Sequence, residues 1–143
     1  MAEIYNAEVA LQQFMYDNMN VSYNGETLPR VVENAGGDDT LASSTKPYIS
    51  FSFDPGTPTP KTIGTMLLEY EGILTIYVHA PINVNPMVTK KLVSEVATVV
   101  SYKRKVFDGT ELRFRGVRTY PGKTIGTHYI VELSVETKFL SSI

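Results

Sequence analysis

Cysteine is absent from the 143 residues, which excludes disulfides, thiolate metal sites and cysteine nucleophiles. Histidine occurs only at positions 79 and 128. Neither His79 nor His128 has a second ligand at the His-x-x-x-His or His-Glu-x-x-His spacing, so both read as structural or solvated. No Gly-x-Ser-x-Gly elbow, phosphate loop or dinucleotide fingerprint is present. These absences leave no catalytic residue, no metal ligand and no cofactor to assign. No apolar run approaches the ~18 residues of a membrane span, and the amino terminus lacks a basic-then-apolar pattern. A soluble domain with no membrane partner is the expectation. A strong charge of one sign is missing too: the net charge is −2, so nucleic acid is not indicated as the main ligand.

What is present is an ordinary globular composition, 43% hydrophobic and 20% charged, in a length that suits one domain spanning 1–143. Its charge is unevenly distributed. Residues 1–71 carry ten acids and three bases (net −7), and residues 72–143 carry five acids and ten bases (net +5). Such an asymmetry can steer head-to-tail packing of identical subunits if the two sequence halves are also two parts of the surface.

The chain is organised around Gly72–Lys105. The run 72–80 is β-branched and aromatic, with Leu74, Ile76, Val78 and Ala80 on one face and Ile73, Thr75, Tyr77 and His79 on the other. A strand apolar on both sides lies centrally or covers a partner. Asn85 then caps a helix and Pro86 occupies its first turn. Val88, Leu92, Val96, Val99 and Val100 carry the helical period to about Lys105, where Lys103, Arg104 and Lys105 suit the negative end of the helix dipole.

Around this unit, the spacing of Ile4, Ala7, Leu11, Phe14, Met15 and Asn18 predicts a first helix over 3–19. Asn24-Gly25 predicts a small hairpin, since both positions accept positive φ. Residues 33–46 and 54–64, rich in Gly, Asp and Ser and then in Pro, read as two protruding loops. Pro47–Asp54 alternates as a strand, with Ile49, Phe51 and Phe53 on one side. Thr65–Tyr70 and Gly72–Ala80 read as two strands, or as one long strand bent near Glu71-Gly72. Leu112–Tyr120 and Thr127–Phe139 are further strands, the last with Tyr129, Val131, Leu133, Val135 and Phe139 inward and His128, Glu132, Ser134, Glu136 and Lys138 outward. The order defines an α+β fold, a mainly antiparallel mixed sheet with two helices packed on one face.

Charged clusters are few. Glu69 and Glu71 can share a strand face, and a solvated edge is the simpler reading than a catalytic carboxylate pair. Arg113 and Arg115 share a face of the strand that also carries Arg118. These three can grip phosphates or acids, or guard a sheet edge, and a subunit or partner contact is favoured because no stacking aromatics interleave with them.

The combination of an N-terminal helix, the strand Pro47-Tyr48-Ile49-Ser50-Phe51-Ser52-Phe53, the unit Gly72-Ile73-Leu74-Thr75-Ile76-Tyr77-Val78-His79-Ala80-Pro81 with its long helix, and the closing strand Tyr129-Ile130-Val131-Glu132-Leu133-Ser134-Val135 resembles the tail terminator proteins of long-tailed phages, the family of the phage lambda tail terminator. The resemblance spans about residues 3–139. It departs at Asn83-Val84-Asn85-Pro86, where many members have a glycine-containing turn, and in the long acidic 33–46 loop. It implies a structural virion protein without catalysis, located at the head-proximal end of the tail. Such proteins form a homohexameric ring that caps the tail tube, stops its polymerisation and offers a surface for head joining. The implied partners are further copies of the chain, tail tube protein and a neck or head-completion protein, with genomic DNA passing the lumen without specific binding. An acidic N-terminal half would suit such a lumen. On this reading Ile73, Tyr77, His79, Arg113, Arg115 and Arg118, with Asp38 and Asp39 in the first loop, are the candidate subunit or partner contacts. A neck protein of similar fold is one alternative; a small nucleic-acid-binding domain using Arg113, Arg115 and Arg118 is another.

Overall fold

The computed structural model describes residues 2–32, 46–54, 56, 58–60, 67–107 and 110–142. Helix α1 (Ala2–Asn18) leads into strands β1 (Ser22–Tyr23) and β2 (Glu26–Thr27), followed by β3 (Arg30–Val32), β4 (Tyr48–Asp54), β5 (Pro58–Pro60) and β6 (Leu67–Pro81). Helix α2 (Pro86–Val100) then precedes β7 (Arg104–Phe107), β8 (Thr110–Thr119), β9 (Lys123–Ile125) and β10 (His128–Ser142). The main sheet runs β3-β4-β6-β10-β8-β7, with β5 against β6 and β9 against β10. Every pairing is antiparallel except β3 with β4, so the fold is α+β with a mixed, mainly antiparallel sheet.

Alternation writes the core directly. In β6, Tyr70, Leu74, Ile76, Val78 and Ala80 are buried; opposite them lie Ile49 and Phe51 of β4 and Val131, Leu133, Val135 and Phe139 of β10. Both helices cover this side. Leu11, Phe14 and Met15 from α1, with Met19 just beyond its end, join Leu92, Val96 and Val100 of α2 in one buried cluster, and the Phe14 and Phe114 rings meet at 4.8 Å. The buried stripe of α2 is Thr89, Leu92, Val96 and Val100, with Val88 and Val99 at its margins. Burying six such helix side chains at ~1.5–3 kcal/mol each is what fixes the helices to the sheet.

Local signals hold where they are strongest. Asn24 (φ 50°) and Gly25 (φ 80°) form the hairpin between β1 and β2, in the doubly positive geometry that Asn-Gly favours. Asn85 Oδ1 accepts from the Met87 amide 2.9 Å away, capping α2 with Pro86 in its first turn. Arg30 closes the other end of α1, donating to the Tyr16 and Met19 carbonyls at 2.8 and 3.2 Å and so satisfying groups the helix leaves open.

Several expectations change. Helix α2 ends at Val100, not near Lys105: Ser101 is extended, Tyr102 turns left-handed at φ 53°, and Arg104–Phe107 pairs with β8. Lys103, Arg104 and Lys105 therefore do not serve a helix dipole; the Val106-Phe107 run gains a ladder that a longer helix would forfeit. Of the two arrangements expected for 65–80, the single long strand holds, as residues 67–81 without a break. Arg30–Val32, just ahead of the expected 33–46 loop, is a short parallel strand beside β4. Within the expected 54–64 loop, Pro58–Pro60 lies along Leu68–Tyr70 as an edge strand, the place where missing donors cost nothing. The 33–46 loop lies outside the described residues apart from Lys46.

Candidate functional site

The second face of the sheet is the candidate site. Among the described residues, no helix packs against it. It carries Ile73, Thr75, Tyr77 and His79 of β6, Ser50 and Ser52 of β4, and Glu132, Ser134, Glu136 and Lys138 of β10, by their register with one another. Ile73 is 48% exposed, a large aliphatic side chain left open in the middle of the sheet.

The three arginines meet on this face, for a reason the sequence conceals. Residues 115 and 118 are an odd number apart, so an ideal strand would place them on opposite sides. Between Val135↔Val117 and Thr137↔Phe114 the register shifts, and Arg115-Gly116 opposes the single residue Glu136. This bulge resets the alternation, so Arg113, Arg115 and Arg118 all leave from the open side.

Most of these charges are already matched. Arg113 and Arg104 both hold the Glu111 carboxylate, the latter at 3.0 Å. The Arg104 hydrogen bond, with that of Arg113, keeps the Glu111 carboxyl below its usual range against the opposing effect of burial. Arg115 lies 3.6 Å from Glu136, and Lys138 reaches Glu71 at 3.2 Å and Glu69 at 3.5 Å. Arg118 stacks over the Tyr120 ring at 4.8 Å. Glu69 and Glu71 do share a face, as expected, but on a central strand; Glu69 is buried rather than at a solvated edge. The result is a lattice of opposite charges, not a uniformly basic strip.

At the far end of the same face the ring systems gather. Tyr48 stacks flat on His79 (4.2 Å, 6° between planes) and meets His128 edge-on at 5.9 Å. Ser50 Oγ and His79 Nε2 share a hydrogen bond of 2.8 Å. A serine and a histidine in reach of one another begin a nucleophile–base pair. Here Ser50 is only 7% exposed, so the pair reads as a polar clasp between β4 and β6. His128, expected outward and wet, is instead 4% exposed; its Nδ1 lies 3.1 Å from Thr127 Oγ1 and its Nε2 has no hydrogen-bond partner among the described residues. Tyr48 covers it, a contact between residues 80 positions apart that alternation does not disclose. Tyr129, expected inward, is part-exposed, because its ring lies across Gly122: a Cβ there would sit 2.2 Å from the Tyr129 hydroxyl.

Of the candidate contacts, Ile73, Tyr77, His79, Arg113, Arg115 and Arg118 thus come together on one face, while Asp38 and Asp39 lie outside the described residues. Among the described residues, no group of three or more His, Asp or Glu is placed to hold a metal ion. No helix among them is long and apolar enough to cross a membrane.

A groove of about 560 Å³ between α2 and the end of the sheet was not foreseen. Its signal was available in the apolar residues Ile82, Val84 and Tyr120 at turns, where polar residues are the norm.

No family model and no curated protein matches this chain. In fold it is similar to a solved protein chain of 13% sequence identity, with a TM-score of 0.67 over 94% of this chain and 95% of that one. At such identity the likeness concerns the fold alone, α+β with its mixed sheet.

Proposed function

We propose that this chain is a structural protein of a long-tailed phage virion, of the tail terminator type. It forms a homohexameric ring on the head-proximal end of the tail tube, stops tube polymerisation and provides the surface for head joining. The observation that carries this reading is the sheet face against which no helix packs among the described residues, where five further candidate contact residues share a side with an open Ile73. An apolar side chain ringed by matched charges suits a protein surface of complementary charge. Phosphate binding is less well served, since Arg113 and Arg115 would first have to release Glu111 and Glu136.

The test is the molar mass of the purified protein with and without tail tube protein. A species six times the protomer mass, and tubes that no longer elongate, are the expected outcome. A strictly monomeric chain that leaves tube growth unchanged overturns the reading. Sedimentation with the head connector but not with tubes would replace it by the neck-protein alternative.

A further inference from the structure

We infer that the end of the sheet where β6 gives way to α2 is the part of the protomer that meets the tail tube, taking an apolar protein surface edged by carboxylates. This contact rests on the proposed capping role and assigns it to a place on the fold.

Register brings that end together. Pro81 of β6 lies opposite His128 of β10, His128 lies opposite Ile125 of β9, and the Ile82 amide donates to the Thr127 carbonyl at 3.0 Å. Ile82 and Ile125 are therefore at one level along the strands but in different hollows. Ile82 lines the groove of about 560 Å³ beside α2, and Ile125 a second groove of about 400 Å³ on the Tyr77 side of the sheet. Tyr120 and Gly122 line both, so the turn between β8 and β9 is a ridge with an apolar hollow on each flank. Ile82 (62% exposed), Met87 and Ile125, with Tyr129, make four of the nine large hydrophobic side chains exposed among the described residues. Single exposed aliphatics are unremarkable, but such a gathering at one end marks a contact.

The same end is rich in cations. No Asp or Glu occurs in 81–94 or 112–131, the segments that build it. Lys90 stands in the first groove, Lys123 in the second and Arg118 over the Tyr120 ring, and none of the three has a carboxylate partner among the described residues. Glu132, in the second groove, is the one acid in either lining. The complement is an apolar surface with carboxylates at its edge.

A second copy of the chain offers no such surface among its described residues. Tyr16 lies under Arg30 at 5.6 Å, and Tyr102 and Val106 flank Lys103, Arg104 and Lys105. Ile73 sits within charges already matched to one another, eight residues of β6 or ~26 Å from Pro81. Val9, beside Glu8, is a single side chain against a cluster of four. The surface therefore suits a protein other than this chain, and capping a tube requires one at every copy in the ring.

The experiment is co-sedimentation with tail tubes, and sedimentation velocity without them, on three full-length chains: wild type, the charge variant Lys90→Glu/Lys123→Glu and the apolar variant Ile82→Ser/Ile125→Ser. Circular dichroism checks that all three are folded. Both variants are expected to bind tubes at least tenfold more weakly while forming the same rings as wild type. Added salt should weaken wild-type tube binding more than that of the charge variant. Wild-type tube binding by either variant overturns this contact and leaves the capping reading standing. Loss of rings in either variant assigns the end to a second copy and overturns it too, as does a variant that caps tubes but no longer sediments with the head connector. A wild type that caps no tube removes the capping reading and this contact with it.

Discussion

The two faces of the β6–β10 sheet are built from the same strands and differ in almost everything else. On the helix side, buried aliphatic and aromatic residues from β4, β6, β8, β10 and both helices merge into one cluster. On the open side, the alternate residues are serines, threonines, matched ions and a half-exposed Ile73. The helix side is therefore where stability is concentrated, and the open side can vary without unfolding the chain. Side chains two residues apart sit in one environment, and side chains one residue apart in opposite ones. A substitution moved by a single position should change class of effect.

The sharpest way to break this contrast is Val96→Asp. Val96 is fully buried between α2 and the sheet, so an unpaired carboxylate there should cost roughly 4 kcal/mol or more. Urea denaturation of the variant should show a large fall in midpoint, or no cooperative transition; a near-native midpoint would mean that the helix-side core is not where stability resides.

A smaller effect belongs to the ion lattice. The Glu111 carboxyl is depressed by Arg104 and Arg113, so its contribution is present above the ordinary unfolded carboxylate range, near ~4.3, and is lost as pH falls through the folded value. Arg104 and Arg113 are largely solvent-exposed, which limits the contribution to about 1 kcal/mol or less. Glu111→Gln should lower stability slightly at pH 7 and converge with wild type below pH 4. Parallel stability curves at all pH values would remove the arginine pair as the cause.

The smallest thermodynamic effect is expected at Ile73→Ser, within about 0.5 kcal/mol of wild type by the same denaturation measurement. Ring formation or capping should nonetheless weaken if this face is a contact. A loss of stability above 2 kcal/mol would show Ile73 to be part of the protomer's own core, and the two faces would not be as different as their exposures indicate.

How legible these features were depended on distance along the chain. The Asn24-Gly25 hairpin and the Asn85 cap each involve residues within a few positions of one another, and both stand as the sequence predicts. The alternation of β4, β6 and most of β10 was equally readable, because a half-buried strand must repeat every two residues. Errors fell at the ends of elements. For α2, an extended Ser101 and a left-handed Tyr102 release Arg104–Phe107 to pair with β8, and that gain depends on residues after the next turn. At β10, His128 is covered by Tyr48 and Tyr129 by the approach of Gly122.

By itself, then, the sequence determined an α+β fold with two helices on one side of a mainly antiparallel sheet, since hydrophobic period and turn chemistry are local properties of the chain. The tertiary structure alone decided that Arg118 would join Arg113 and Arg115, that these charges would be matched by Glu111 and Glu136, and that a groove would open beside α2. Each of those outcomes depends on which distant residue lies opposite, and one extra residue in a bulge is enough to reverse which side a side chain faces.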